Sequence, residues 1–396
     1  MVTRSNPDAT YKVGDNNFMP NAVITHFRRS PFHFASKGAL AKTRPDDLAA
    51  QVIARLVADS GVKPEDIEDL ILGCTFPEAE QGLNLGRILG FMTHLPLSVA
   101  GTTVNGFCGS SMTSIHMAVG AISAGAGDVF ICAGVESMSR VPIPGFNPSP
   151  NPALYQEYPQ AYISMGETAE NLAKKYEISR TKQEELAVTS HQRAAAAAKA
   201  GKFTDEIVAI QTKAGVVSTD GTIRSDTSLE GLAGLKPAFD VAGSVTAGTS
   251  SPLTDGASAV IVMSEDYAKA NGFKPLARIK AMAVAGCAPE IMGIGPVPAT
   301  QKVLKRAGLS LSDIDIIELN EAFAAQSLSV IQDLGIDLNK MNIDGGALAL
   351  GHPLGASGAR ITGKAATLLK REGKQFALAT MCIGGGQGIA TILEAV

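Results

Sequence analysis

GVKPEDIEDLIL, residues 61–72, lies over GLSLSDIDIIEL, residues 308–319, at an offset of about 247 positions. Each opens on a turn, passes an Asp-Ile step and ends in an apolar run of strand character. Upstream, PDDLAAQVIARLVADSG (45–61) and PATQKVLKRAG (298–308) space their apolar residues as a helix does, and both end in Gly, the residue that best tolerates a left-handed C-cap. Downstream, VFICAGVES (129–137) and FALATMCIGGG (376–386) read as strands that stop in small residues. One α/β unit written twice explains these agreements; chance similarity between two α/β segments is the alternative. In this register Cys132 falls near Cys382 and Cys108 near His352, so two facing halves would bring the stretch at Cys108 and the turn at His352 to equivalent places.

Composition bounds the setting. The 396 residues are 45% hydrophobic and 18% charged, enough for two or more domain-sized cores. With 34 basic against 38 acidic residues, the net charge is −4 and no Lys/Arg block stands out. Nucleic acid is therefore not an expected partner, and any anionic ligand has to be held locally. Residues 1–18 are polar and lack the core of a signal peptide, and no run of about 18 apolar residues occurs. The expectation is a cytoplasmic protein with a polar N-terminal tail and no transmembrane segment. The five cysteines (74, 108, 132, 287 and 382) are odd in number and widely spaced, which suggests reduced thiols and neither a disulfide framework nor a metal site.

Residues 140–250 fit neither half. They open with RVPIPGFNPSPNP and continue through helical patterns, GETAENLAKKYEI and SRTKQEELAVTSHQRAAAAAKAGKF, the second with a Ser/Thr cap. Such a stretch is too long for a connection, and reads as an inserted, mainly helical subdomain. The expected organisation is a tail (1–18), the first part of an N-terminal half (19–139), the insertion (140–250), the end of that half (251–275) and a C-terminal half (276–396). The insertion carries Lys174, Lys175, Arg180, Lys182, Arg193, Lys199, Lys202 and Arg224; a solvated helical face is the plain reading for any one of them.

VNGFCGSSMTSIHMA (104–118) sets Cys108 among glycines and serines just before a helical pattern. A free thiol is only a few per cent thiolate at neutral pH, and a helix N-terminus contributes roughly 0.3–1 kcal/mol, so Cys108 needs a proton acceptor. Of six histidines, His352 in GGALALGHPLGASGAR has a comparable Gly-rich frame, whereas His116 would point away from a site at the helix start. Cys382 enters a triple-glycine turn, TMCIGGGQG, whose backbone N–H groups could face a ligand oxygen. LNEAFAAQ places Asn320 at the end of a strand-like run, where it could hold a water or orient an amide.

NGFCGSS, NEAFA, GHPLGASGAR and CIGGGQG, in this order and spacing, resemble the thiolase family, as do GVESMSR, MGETAENLA, VTAGTSSPLTDGAS and IMGIGPVPA. The resemblance runs from about residue 20 to the end. It implies an α/β fold of two βαβαβαββ halves in a five-layer αβαβα stack, with a loop domain inserted in the first half. It implies that Cys108 attacks an acyl-CoA or 3-ketoacyl-CoA, with His352 as base, to form an acyl-enzyme, while Cys382 serves as acid–base at the acetyl group. Two oxyanion pockets are implied, one from His352 and a water on Asn320, the other from the N–H groups of Cys108 and Gly384. Coenzyme A, a substrate and not a permanently bound cofactor, would meet Arg224, Ser228, Phe239 and Ser251 of the insertion, and Met165, Met292 and Phe323 would line the acyl end. No metal is implied.

Departures from the biosynthetic pattern point to fatty-acid β-oxidation: Thr249 stands where many biosynthetic thiolases carry Asn, Ser164 where acetoacetyl-CoA thiolases often have His, and FCGSSM replaces C-x-S-G-L. A biosynthetic acetoacetyl-CoA thiolase is the alternative. A decarboxylating ketoacyl synthase would lack Cys382, and a non-catalytic acyl-CoA-binding protein would have lost one of the four chemical residues. The resemblance implies a homodimer or homotetramer and leaves room for a β-oxidation multienzyme complex.

Overall fold

The computed structural model describes residues 21–396; the expected tail, 1–18, lies outside the described residues. The first half runs through β1 (Ala22–Arg29), β2 (His33–Phe34), α1 (Pro45–Ser60), β3 (Ile67–Gly73), α2 (Leu85–Met92), β4 (Ala100–Val104), α3 (Ser110–Ser123) and β5 (Val129–Ser137). Then come α4 (Pro152–Glu157), α5 (Met165–Lys175), α6 (Arg180–Lys199), a hairpin of β6 (Ile210–Thr212) and β7 (Gly215–Val217), and α7 (Leu229–Ala233). The long β8 (Thr254–Ser264) re-enters the first half, and α8 (Glu265–Ala270) leads out of it. The second half comprises β9 (Ala277–Gly286), α9 (Pro296–Ala307), β10 (Ile316–Leu319), α10 (Ala324–Leu334), α11 (Ala347–Leu350), α12 (Ser357–Glu372), β11 (Phe376–Ile383) and β12 (Gln387–Glu394).

The repeat read from the sequence is a repeat of structure. Helices α1 and α9 each carry Pro in the first turn and end on a left-handed glycine, Gly61 at φ 70° and Gly308 at φ 67°. Strand order is β4-β3-β5-β8-β1 in the first half and β10-β11-β12-β9 in the second. Equivalent pairs run in the same sense: β3–β5 and β10–β11 are parallel, and β5–β8 and β11–β12 antiparallel. The counterpart of β4 is reduced to a single parallel bridge between Ile317 and Met341. The two sheets touch edge to edge at Val23–Arg278 and Ile24–Ala277.

Alternation along β5 sets the layers. Val129, Ile131, Ala133 and Val135 pack with α1 in one core, while Phe130 and Cys132 pack with α3 and α12 in another. A third core lies between the second sheet and α9 and α10. The result is five layers: outer helices, sheet, the α3/α12 pair, sheet, outer helices.

The segment between β5 and β8 is mainly helical. Ser164 caps α5 in a capping box with Glu167, and Ser179 caps α6. The β6–β7 hairpin was not legible in the sequence; it is held to α1 by Gln51, which pairs with the backbone of Gln211 at 2.8 and 3.3 Å. Four of the eight basic residues named for the insertion are tied up structurally. Arg180 donates to the carbonyls of Leu232, Ala233 and Leu235, Arg193 to those of Met341 and Leu338, Lys174 pairs with Asp240, and Lys202 with Asp344.

The inner helices start on contacts that admit no side chain. A Cβ on Gly358 would lie 2.4 Å from the Met112 nitrogen, and one on Gly73 would lie 2.3 Å from the Ser111 nitrogen. Both obstacles are backbone, which cannot rotate aside. Gly358→Ala is therefore expected to cost about 1–3 kcal/mol through overpacking and to lower the thermal midpoint. Unchanged melting, followed by calorimetry, would show that α3 and α12 can separate cheaply.

Candidate active site

Strand β4 gives way to α3 through a tight turn. Phe107 has φ +47°, a left-handed conformation that a bulky residue adopts at a cost, so the surroundings must hold it there. Asn105 accepts from the Phe107 N–H at 2.8 Å and donates to the Thr75 carbonyl at 3.0 Å, while Ser110 Oγ accepts from Gly106 N–H and donates to the Phe107 carbonyl. The turn delivers Cys108, 2% exposed, to the wall of a cavity of about 580 Å3.

His352, Cys382, Met165, Met292, Phe323, Phe239, Ser251 and Arg224 line the same cavity. Residues separated by some 270 positions thus meet at one place, as the facing halves required. Asn320 sits behind His352, its Nδ2 3.3 Å from Nε2, and Gly384 directs its backbone N–H at the Cys108 thiol. Ser228 is the exception: its side chain caps α7, accepting from Gly231 N–H at 3.2 Å, and does not line the cavity. His116 points away, with Nε2 2.8 Å from Thr391 Oγ1.

The hydrogen bonds assign the imidazole tautomer. Asn320 Nδ2 can only donate, so Nε2 of His352 accepts; Nδ1–H then donates to Ser357 Oγ at 2.6 Å, whose hydroxyl donates to the Pro353 carbonyl. The bare nitrogen is the one beside Asn320. The amide oxygen of Asn320 is buried with no partner among the described residues, an acceptor free for a water.

Burial governs the protonation states. It pushes the Cys108 thiol up to about 12, against the pull of the Gly384 N–H, and raises Cys382 well above the ordinary range. Burial, with Arg360 adding to it, lowers His352 to about 3. At rest the site holds neutral thiols and a neutral base, not a thiolate–imidazolium pair.

At one end of the cavity Cys382 packs with Met292 and Ala322, closed over by Met165 and Phe323. Phe239 meets Phe323 edge-on at 5.8 Å and lies across Gly166, where a Cβ would be 2.1 Å from its ring. At the other end His191 Nδ1 accepts from the Arg224 backbone N–H at 3.1 Å, and the guanidinium lies 5.9 Å from the Phe34 ring. Phe34 and Lys37 from the first half complete this end, and the Lys37 ammonium lies 4.6 Å from the Phe34 ring. Sequence reasoning missed Lys37, His191 and Ser357. Only Ser357 left a signal, five residues after His352 in the same Gly-rich frame.

The thiolase N-terminal domain family matches residues 22–266, and the thiolase C-terminal domain family residues 273–395. The chain belongs to the thiolase family. It is 47% identical over 389 residues to the 3-ketoacyl-CoA thiolase of Bacillus subtilis (strain 168), covering 95% of this chain and 100% of that one. It is 50% identical over 386 residues to the 3-ketoacyl-CoA thiolase of Shewanella loihica, again 95% and 100%. Among solved structures, the Bacillus anthracis acetyl-CoA acetyltransferase superposes with a TM-score of 0.89 at 41% identity, covering 96% of this chain and 100% of that one. Human mitochondrial 3-ketoacyl-CoA thiolase in complex with CoA superposes at 0.87 and 40% identity, covering 95% and 98%. As a thiolase the protein is an acyltransferase.

Neutral Cys108 beside neutral His352 has a kinetic signature in the free thiolase. Alkylation of Cys108 by iodoacetamide, followed by peptide mass spectrometry, is expected to accelerate steadily as pH rises toward the alkaline range, because burial holds its thiol near 12. A rate already at plateau below pH 7 would mean a preformed ion pair and overturn this assignment.

Proposed function

We propose that this thiolase cleaves 3-ketoacyl-CoA with CoA to acetyl-CoA and a shortened acyl-CoA, reversibly, in fatty-acid β-oxidation. The observation that carries the reading is the meeting of two thiols and one unprotonated imidazole nitrogen on a single, largely apolar cavity. Cys108 Sγ attacks the 3-keto carbon as its proton passes to His352 Nε2. The oxygen that turns negative, on the carbon bonded to Sγ, is met by the backbone N–H groups of Cys108 and Gly384, which lie around that sulfur. Collapse breaks the bond between C2 and C3; the acyl group stays on Cys108 and the electron pair leaves as the enolate of acetyl-CoA. Cys382 protonates its C2, and the protonated His352 Nε2–H and a water on Asn320 hold the thioester oxygen. The incoming CoA thiol then gives its proton to the Cys382 thiolate as its sulfur attacks the acyl carbon, and Cys108 leaves and recovers its proton from His352.

Arg224 and Lys37, the cations at the far end, suit the nucleotide phosphates of CoA, and Ser251 and Phe239 the pantetheine arm. Met165, Met292 and Phe323 surround the acyl end. CoA enters as substrate in this scheme, with no permanently bound cofactor. The biosynthetic reading draws on the 41% identity to an acetyl-CoA acetyltransferase, but the 47–50% identity to enzymes named 3-ketoacyl-CoA thiolase favours degradation. The proposed location is cytoplasmic; no described helix is long and apolar enough to cross a membrane.

The test separates the two thiols. Cys382→Ser is expected to leave acylation of Cys108 by acyl-CoA in place while thiolysis falls by roughly 10²–10⁴-fold, the range for a lost general acid–base group. Rapid-quench acylation and steady-state thiolysis on the same variant provide the comparison. A parallel fall of both would make Cys382 positional, and a fall of neither would remove it from the mechanism.

We further propose a homodimer formed along β4. It is the edge strand of its sheet, and exposed apolar side chains stand around it: Leu83 at 89%, Leu97 at 78% and Phe91 at 48%. The double variant Leu83→Glu/Leu97→Glu should shift the mass in light scattering to that of one chain. A wild-type protein that is itself monomeric, or a variant that stays dimeric, would refute the assignment.

A further inference from the structure

The motif GVESMSR holds a carboxylate that the proposed mechanism leaves unused. Glu136 lies at the end of β5, and the strand alternation that sends Phe130 and Cys132 inward sends it inward too, beneath the starts of α3 and α12. It is fully buried, and no Lys or Arg pairs with it among the described residues. Its oxygens instead accept from the N–H groups of Thr75 at 2.8 Å, Phe76 at 3.3 Å and Gly355 at 2.9 Å, from Gln81 Nε2 at 2.9 Å, and from the Cys74 thiol at 3.7 Å.

These donors belong to two different turns. Thr75 and Phe76 support the Cys108 turn: the Thr75 carbonyl receives Asn105, and the Phe76 ring meets the Phe107 ring at 6.5 Å. Gly355 stands between His352 and Ser357, the residue that fixes the imidazole. One carboxylate therefore ties the nucleophile's turn in the first half to the base's turn in the second. We propose that Glu136 is a positioning residue that sets Cys108 against His352 and whose negative charge keeps the Cys108 thiol protonated until substrate is bound.

Two features support the second role. The space around Gly134, Gly355 and Ser111 is so tight that a Cβ on Gly355 would lie 2.8 Å from Glu136 Oε2, so no solvent layer screens the carboxylate from the catalytic turns. Its charge also opposes ionisation of Cys108, which burial already disfavours. The other titratable groups facing Cys108 are Cys382 from β11 and His352 from its turn, with Arg360 of α12 acting on His352.

This inference rests on the reading of Cys108 as nucleophile and His352 as base, and two variants separate reach from charge. Glu136→Gln keeps the length but loses the charge and sets an amide N–H₂ against the donors. Its Cys108 alkylation profile is expected to move at least half a unit to lower pH, with kcat for thiolysis down tenfold or more and KM for CoA within about twofold. Glu136→Asp keeps the charge but is too short to span both turns. It should leave the alkylation profile in place and still lower kcat, and it decides the positioning role alone if the Gln variant fails to fold. Wild-type kcat in Glu136→Asp, or an unmoved profile in a folded Glu136→Gln, would overturn the respective role. Failure of the underlying reading would instead show in the wild-type enzyme, as an acyl adduct on a residue other than Cys108.

Discussion

The approach of α3 to α12 between the two sheets is the constraint on which the other features depend. A Cβ on Gly358 of α12 would lie 2.4 Å from Met112 N of α3, and Gly73 of β3 and Gly134 of β5 hold the same two turns against their sheet, where a Cβ would lie 2.3 Å from Ser111 N and from the Gly355 carbonyl oxygen. Because these contacts lie at the helix starts, the residues immediately before each helix are forced together: Cys108 ahead of α3, His352 ahead of α12. The same geometry faces both helix N-termini and the β11–β12 turn toward one cavity, so uncommitted backbone N–H groups are present where negative oxygen develops. Duplication alone would not do this. Two halves packed a few ångströms further apart would keep their cores and lose the site.

A second set of contacts fixes the intervening segment on that frame. Arg29 of β1 reaches Glu206 and Asp220 at 2.8 and 2.7 Å, Lys364 of α12 reaches Glu206 and Asp344, and Arg360 reaches Glu318, all with side chains almost fully buried. Replacing such pairs by hydrophobic residues is often neutral, but breaking one leaves an uncompensated charge at a cost of roughly 3–5 kcal/mol. The ions therefore specify position more than they add stability. They anchor the chain just ahead of Arg224, and His191 then holds the Arg224 backbone N–H. The cationic end of the cavity is thereby held at a set distance from the two thiols.

Much of the fold could be read because it is local and repeated. A helix ending on Gly61 or Gly308, an Asp-Ile step and a buried strand are written twice, and the structure repeats them with the same strand senses. Cys108, His352 and Cys382 were legible because each sits in a local run of small residues, which the close approach of these turns requires. The hairpin β6–β7 was not, since its strands are three residues long and held by Gln51 from a distant helix. Lys37 and His191 were hidden for a related reason: their place at the cavity depends on long-range packing, and their neighbours in sequence carry no special pattern. Ser228, expected among the CoA contacts, instead caps α7, a role that its place just ahead of a short helix settles and that the resemblance alone did not show.

Burial of the nucleophile sets the order of events. With the thiol near 12 and the imidazole near 3, separating charge between Cys108 and His352 in the empty cavity is strongly unfavourable. In the proposed mechanism the Cys108 proton leaves as the sulfur bonds to carbon, when the negative charge passes to an oxygen that has donors waiting. A dry, apolar wall built by Met165, Met292 and Phe323 strengthens those hydrogen bonds for the same reason that it suppresses the free thiolate. An exposed cysteine would ionise more easily and react with any electrophile; one buried here is reactive chiefly toward a ligand that brings the charge acceptor with it.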